Sequence, residues 1–177
     1  MGQPQFHRAS VVVGFADLSR FFAAATGRDP LEVAEVLQRH YERMGEIIVA
    51  RGGRVIKCIG DALLFSFPQG CERAAVLAVR EMVQAAEEGI AREWACAGMR
   101  LGAGLAAGEV AAGEMGPAEE RRYDLLGDPV NAAALACHGG GICVTEEVRR
   151  ALGDDIAAEP AEPIRRAGRE IAIWRLV

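Results

Sequence analysis

Two hydrophobic patterns alternate along this chain. One is the short continuous run of β-branched and aromatic residues that suits a buried strand. The other is the apolar position that returns every three or four residues and suits a helix packed on a core. Residues 11–15 are a run of the first kind that ends at Asp17, and residues 18–22 then read as a short helical start. Asp29, Pro30 and Glu32 open a longer helix, with the aspartate as cap, the proline in the first turn and an acid three residues after the cap. Leu31, Ala34, Leu37, Tyr41, Met44, Ile47 and Ile48 recur at helical spacing until Arg51, Gly52 and Gly53 stop it.

Residues 54–59 and 62–67 are two strand-like runs separated only by Gly60 and Asp61, a strong hairpin signal. Strict alternation along the first run places Val55, Lys57 and Ile59 on one face and Cys58 on the other. Residues 72–93 form a second amphipathic helix with Ala75, Val76, Val79, Met82, Val83 and Ala86 as its stripe. Residues 99–107 read as a strand rich in Gly and Ala, and 108–113 continue it through a turn into a further extended piece. Gly102 and Gly104 do not extend into a dinucleotide fingerprint, so they are expected to permit close backbone approach or a bulge. A short strand at 123–126, a helix starting near Val130, a strand at 142–144, a helix at 145–152 and a closing strand at 171–176 complete the chain. The order β-α-β-β-α-β predicts an α+β fold: a ferredoxin-like core sheet with helices on one face.

Composition narrows the classes of function. At 177 residues, 51% hydrophobic and 25% charged, the chain reads as one globular domain, with residues 1–7 as a short tail ahead of it. No apolar run approaches the roughly 18–20 residues of a membrane span. The N-terminus lacks an apolar signal core, and Phe6 stands where a myristoylation signal needs Ser or Thr, so a cytoplasmic protein is expected. A net charge of −5 argues against a nucleic-acid partner. Five cysteines without a C-x-x-C pair or a nearby His at metal spacing read as reduced thiols rather than a zinc site. His40 lies near the apolar face of its helix and reads as packing rather than catalysis.

The chemistry concentrates on three charges in apolar surroundings. Lys57 interrupts the first run of the hairpin, and Asp61 sits at its tip. Asp17 ends a buried strand where a helix begins, which makes it either a helix cap or a ligand. The expected topology brings the ends carrying Asp17 and Asp61 side by side. Two close carboxylates raise one another's pKa, and a hard divalent cation resolves that conflict.

With these residues in view the chain resembles the class III nucleotidyl cyclase catalytic domain, the adenylate/guanylate cyclase family, over about residues 8–177. Phe15-Ala16-Asp17-Leu18-Ser19-Arg20-Phe21 is similar to the family's first metal block, and residues 53–61, ending in Gly60-Asp61, to its second. Residues 100–113 together with Arg122-Tyr123-Asp124-Leu125-Leu126-Gly127-Asp128-Pro129-Val130-Asn131 are similar to the third. The resemblance implies that Asp17 and Asp61 hold two Mg²⁺ or Mn²⁺ ions. It implies that backbone amides after Asp17, around Arg20 and Phe21, cradle the triphosphate. Lys57 and Asp124 match the pair that reads the base, and their donor and acceptor chemistry favours ATP. Asn131 matches the asparagine that positions the ribose. Arg166, or its neighbour Arg165, matches a basic contact to the γ-phosphate. In this family the metal acids and the base-reading residues of one site come from two domains, so a chain carrying both sets is expected to form a head-to-tail homodimer with two sites.

The chain departs from the family pattern at one position of consequence. The family carries an arginine one helical turn after the asparagine, where it stabilises charge on the transferring phosphate; here that position is Leu135. The segment 135–141 is also shortened. Arg20 and Phe22 replace the Gly and Thr usual in the first block, and Arg20 is a candidate to supply part of the missing charge. Two function classes follow: a cyclase making cyclic AMP, slowed by Leu135, or a nucleotide-binding and dimerisation module that does not turn substrate over. A cyclase acting on GTP or a pyrimidine nucleotide is the remaining alternative.

Overall fold

The computed structural model describes residues 6–96, 98–138, 141–166 and 168–177. Its strands are β1 (Phe6–Leu18), β2 (Arg54–Ile59), β3 (Ala62–Pro68), β4 (Leu101–Met115), β5 (Arg122–Leu126), β6 (Ile142–Thr145), β7 (Ala158–Pro160), β8 (Ile164–Arg166), β9 (Arg169–Ile171) and β10 (Ile173–Leu176). The α-helices are α1 (Phe21–Ala25), α2 (Pro30–Ala50), α3 (Glu72–Ala86), α4 (Asp128–Cys137) and α5 (Glu146–Leu152). In the main sheet β2, β3, β1, β4, β6, β10 and β7 lie side by side in that order, and β5 pairs with the far half of β4. The first of these strands pair antiparallel, whereas β6 runs parallel to β4 and returns through α4. Among the described residues no helix is long and apolar enough to cross a membrane.

β1 is the axis of the sheet because its β-branched run, Val11–Val13, is flanked on both sides, by β3 and by β4. Its alternate residues feed two cores. Val12, Ala16 and Leu18 join Phe65, Phe67, Ala103 and Leu105 under α2, α3 and α5. Val13 joins Leu64, Ala106 and Leu125 under α4, on the opposite face. Burying each such Leu, Val or Phe stabilises the fold by about 1.5–3 kcal/mol. The two helices of the βαββαβ core thus share one face as expected, and α4 is added on the other. Its close seat depends on Gly104, where a Cβ would stand 2.1 Å from the Ala133 carbonyl oxygen.

Several local expectations are corrected. β1 takes in Phe6 and His7 of the expected tail, since their backbones pair with Gly113 and Ala112 of β4. It also runs through Leu18, so the helical start at 18–22 reduces to α1, which begins at Phe21. Asp29 caps α2 as expected, accepting from the Leu31 amide at 2.7 Å. The buried face is Val36, His40, Met44, Ile47 and Ile48, however, while Leu31 is exposed and Ala34 lies outside that face. The helix expected over 72–93 leaves α-geometry at Ala86, and a π-helical turn, Glu87–Ala91, follows with Gly89 at φ −93°, ψ −107°. β4 is continuous through Gly108, with no turn there. The β8–β9 hairpin is a feature the hydrophobic pattern does not announce.

Candidate active site

Asp17 lies inside β1, opposite Gly102 of β4, and the cap preceding α1 is Arg20, not Asp17. The cap alternative for Asp17 is therefore removed. Asp61 occupies the β2–β3 turn beside Gly60, whose φ of 60° is a left-handed conformation suited to glycine. The Tyr41 hydroxyl on α2 donates to the Gly60 carbonyl and ties this tip to the helix layer. Burial pushes the Asp61 carboxyl up to about 6, aided by the charge of Asp17 and by a hydrogen bond with it, while backbone amides including that of Leu18 pull the other way. Two half-buried carboxylates side by side are a suitable oxygen donor set for a divalent cation, which would offset their mutual repulsion. No third His, Cys, Asp or Glu completes a cluster with them among the described residues. The remaining donors to a bound ion would then be backbone carbonyls, water or substrate phosphate.

Beside this pair, Ser19 is locked to Arg100 by two hydrogen bonds, of 2.9 and 3.0 Å. Phe21 stacks on Trp94 at 5.5 Å between ring centroids, and the Arg28 guanidinium covers Trp94 at 4.7 Å. The Phe21 side chain is thus committed to packing, and its backbone is what it can offer a ligand. Arg20 adopts φ 63°, a conformation that explains a glycine preference there. Its guanidinium lies against Gly98, where a Cβ would stand 3.0 Å from Nη1. Phe22 is 84% exposed.

Lys57 and Asp124 meet directly. Lys57 Nζ donates to Asp124 Oδ2 at 2.5 Å, and Asp124 Oδ1 accepts from the Leu125 amide at 2.8 Å. Both side chains retain solvent access, at 43% and 23%. Alternation alone misplaces Lys57. A β-bulge between Val55 and Lys57 sets Val55 opposite Phe65 but Lys57 opposite Leu64, so these two face opposite sides of the sheet. Arg54, opposite Ser66, therefore shares its face with Lys57, and Arg54 covers the Tyr123 ring at 3.8 Å.

Asn131 is exposed in the first turn of α4. Together with Leu135 and Arg166 it lines a cleft of ≈ 1170 Å³ between α4 and the β8–β9 hairpin. Asp128, Glu147 and Glu170 also reach this cleft, and Glu170 is held by Arg165 at 2.7 Å. Of the two candidate arginines, Arg166 is the one that lines it. The chain thus assembles three groups: Asp17 with Asp61, Lys57 with Asp124, and Asn131 with Arg166. Neither Asp17 nor Asp61 lines the Asn131 cleft.

Tyr41, Arg54, Tyr123 and Thr145 were not singled out from the sequence. Thr145 is 2% exposed, and among the described residues its hydroxyl has no hydrogen-bond partner at the cleft wall. The only advance signal was a hydroxyl, Tyr41, in an otherwise apolar stripe. His40 is buried, and burial lowers its pKa to about 4, which suits a neutral packing residue. The Cys137 thiol is pushed up to about 12, chiefly by burial and then by Asp17, and donates to the Gly102 carbonyl at 3.3 Å. Cys58 is exposed, Cys71 and Cys96 are half-buried, and Cys137 and Cys143 are buried, all as free thiols.

A family model of the adenylate and guanylate cyclase catalytic domain matches residues 4–176. A protein of Mycobacterium tuberculosis is 33% identical over 147 residues, covering 80% of this chain and 34% of the relative. Adenylate cyclase 1 of Rhizobium meliloti is 25% identical over 179 residues, covering 94% of this chain and 27% of that protein. The chain therefore spans about a third or less of the length of these curated relatives. The fold matches the crystal structure of the adenylyl cyclase CyaB from P. aeruginosa at a TM-score of 0.87 and 21% identity, covering 98% of this chain and 96% of that one. It matches the guanylyl cyclase Cya2 at a TM-score of 0.85 and 24% identity, covering 96% and 92%.

Proposed function

The chain belongs to the adenylate and guanylate cyclase catalytic domain family, and from that premise we propose that it converts ATP to 3′,5′-cyclic AMP and pyrophosphate. The observation that carries this reading is the Asp17–Asp61 pair, two carboxyl groups brought side by side at the end of β1 and the tip of the β2–β3 hairpin. The ribose 3′-oxygen attacks the α-phosphorus, the bond from that phosphorus to the β-bridging oxygen breaks, the hydroxyl proton passes to solvent, and pyrophosphate leaves. Two Mg²⁺ or Mn²⁺ ions held by Asp17 and Asp61 would supply Lewis acidity toward the 3′-hydroxyl and the triphosphate.

The chain's own residues bind and orient. Lys57 donates to a ring nitrogen of adenine and Asp124 accepts from its exocyclic amine, so the 2.5 Å contact between them opens to admit the base. Asn131 holds the ribose, Arg166 meets the terminal phosphate, and backbone amides around Arg20 and Phe21 face the triphosphate. Because the acids lie outside the Asn131 cleft, a complete site calls for a second copy placed head to tail, giving a homodimer with two sites. The presence of Leu135 in that cleft favours a second reading: a domain that binds nucleotide and pairs without turning it over.

One assay separates them. The purified protein is incubated with each of the four ribonucleoside triphosphates and Mn²⁺, and cyclic product and pyrophosphate are measured. Cyclic AMP formation lost in Asp17→Ala supports the enzyme. Nucleotide binding without product from any of the four supports the silent module, and product from GTP or a pyrimidine nucleotide instead reassigns the base.

A further inference from the structure

β2 and β5 share no backbone ladder: β2 pairs with β3 and β5 with β4, and β3, β1 and β4 stand between them in the sheet. They nevertheless meet, because the far half of β4 and β5 curl over the Val13–Leu64 face and bury Leu125 there. Two polar side-chain links tie them, Lys57 to Asp124 at 2.5 Å and Arg54 over the Tyr123 ring at 3.8 Å, beside the apolar contact of Ile56 within the same cluster. Both links exist because the bulge at Ile56 turns Arg54 and Lys57, three residues apart, toward the same side.

We infer that Arg54 and Tyr123 are positioning residues: their contact is a clamp that fixes the distance between Lys57 and Asp124 and thereby sets nucleobase selectivity. The inference rests on the reading that Lys57 and Asp124 recognise the base. When a base inserts, the direct Lys57–Asp124 bond is exchanged for contacts to the ring. The Arg54–Tyr123 contact is then the polar link that still holds β2 against β5. Adenine presents an amine donor where guanine presents a carbonyl acceptor. A donor and an acceptor held at fixed spacing reject the wrong polarity, because a mismatched base leaves their polar atoms unpaired. If the two strands drift apart, Lys57 and Asp124 can each shift to suit either base. Selectivity then falls further than affinity.

The test compares dissociation constants of the full 177-residue chain for fluorescent analogues of ATP and GTP, with thermal melting confirming that each variant folds. Arg54→Met removes the charge and keeps the stem, Tyr123→Leu removes the ring, and Tyr123→Phe keeps it. Arg54→Met and Tyr123→Leu are expected to reduce the ATP:GTP affinity ratio about threefold or more, with Tyr123→Phe close to wild type. Arg54→Lys, which keeps a cation over the ring, is expected to restore most of the ratio, and Tyr123→Leu carries the test if Arg54→Met does not fold. Lys57→Ala reports on the base reading itself. A ratio that moves in Lys57→Ala but stays within about twofold of wild type in Arg54→Met and Tyr123→Leu overturns the clamp alone. A ratio unmoved by Lys57→Ala overturns both the clamp and the base assignment. Equal loss in Tyr123→Phe and Tyr123→Leu assigns the effect to the hydroxyl and overturns the clamp.

Discussion

The Asp61 carboxyl at the hairpin tip stands beside the Asp17 carboxyl of β1, and burial together with that neighbour lifts it from 3.8 to about 6. An acid whose folded pKa exceeds its unfolded value takes up a proton on folding between the two. Its contribution to stability therefore declines as pH climbs from 3.8 to about 6 and is least favourable above that. In chelator, the chain is expected to melt at a higher temperature at pH 5 than at pH 7, and Asp61→Asn to flatten the difference. Calorimetry across that range checks it; an Asp61→Asn chain with the wild-type slope assigns the dependence to another group. Added Mn²⁺ is expected to raise the melting temperature more at pH 7 than at pH 5, since protons compete for the same oxygens.

The Tyr41 hydroxyl reaches from α2 to the Gly60 carbonyl, one residue before Asp61. Tyr41→Phe deletes that bond and leaves the ring packed against the main core. The expected loss is about 1 kcal/mol, the net worth of one such hydrogen bond, read as a lower urea midpoint at unchanged slope. The looser tip is also expected to raise the Mn²⁺ concentration needed for half-maximal stabilisation. A lower urea midpoint with an unaltered Mn²⁺ requirement would limit Tyr41 to a structural role.

Asp61 and its hairpin mark where the sequence was legible. Asp61 and Lys57 stood out because a charge in an apolar run is a local anomaly, visible without any partner. Gly60 beside Asp61 announced the turn for the same reason. The bulge at Ile56 was invisible, because one extra residue in β2 leaves the run of residue types unchanged and shows only in the pairing with β3. The N-terminal reach of β1 was hidden in the polar segment from Phe6 to Ser10, which is ordered by its backbone ladder to β4 rather than by burial. Asp17 was ambiguous between cap and ligand because that depends on whether β1 stops before it or runs past it, a boundary set by pairing with Leu101 and Gly102. The contact of β5 with β2 depends on a curl in the sheet that no local pattern encodes.

Gly104 offers a test of how α4 is seated. A Cβ there would stand 2.1 Å from the Ala133 carbonyl oxygen and 2.6 Å from the Cys137 amide nitrogen, both backbone atoms that cannot swing aside. Gly104→Ala is expected to push α4 off the sheet at a cost of about 1–3 kcal/mol or more, in the manner of an overpacked core. Gly60→Ala, by contrast, meets nothing within 4 Å and is strained only by its φ of 60°, so a loss of about 1–2 kcal/mol is expected there. Denaturation midpoints of the two variants distinguish steric displacement from backbone strain, and the first alone is expected to expose Cys137, which thiol labelling reports.

Leu135 stands one helical turn beyond Asn131, and both line the cleft that Arg166 faces from the opposite hairpin. Charge builds on the phosphoryl oxygens as the bond to pyrophosphate breaks, and a fixed cation there stabilises the transition state more than the bound substrate. α4 supplies none, since its sequence from Asp128 to Cys137 holds no Lys or Arg. A cleft of ≈ 1170 Å³ leaves room for a longer side chain at this point. Leu135→Arg is therefore expected to raise turnover at saturating ATP and Mn²⁺ by about 10²–10³-fold, the scale of restoring one aimed donor, with a smaller change in KM. The Asp17→Ala, Leu135→Arg double variant is expected to be inactive, which ties the gain to the same site. Unchanged turnover in a Leu135→Arg chain that still binds ATP would show that the apolar residue is not what limits the rate.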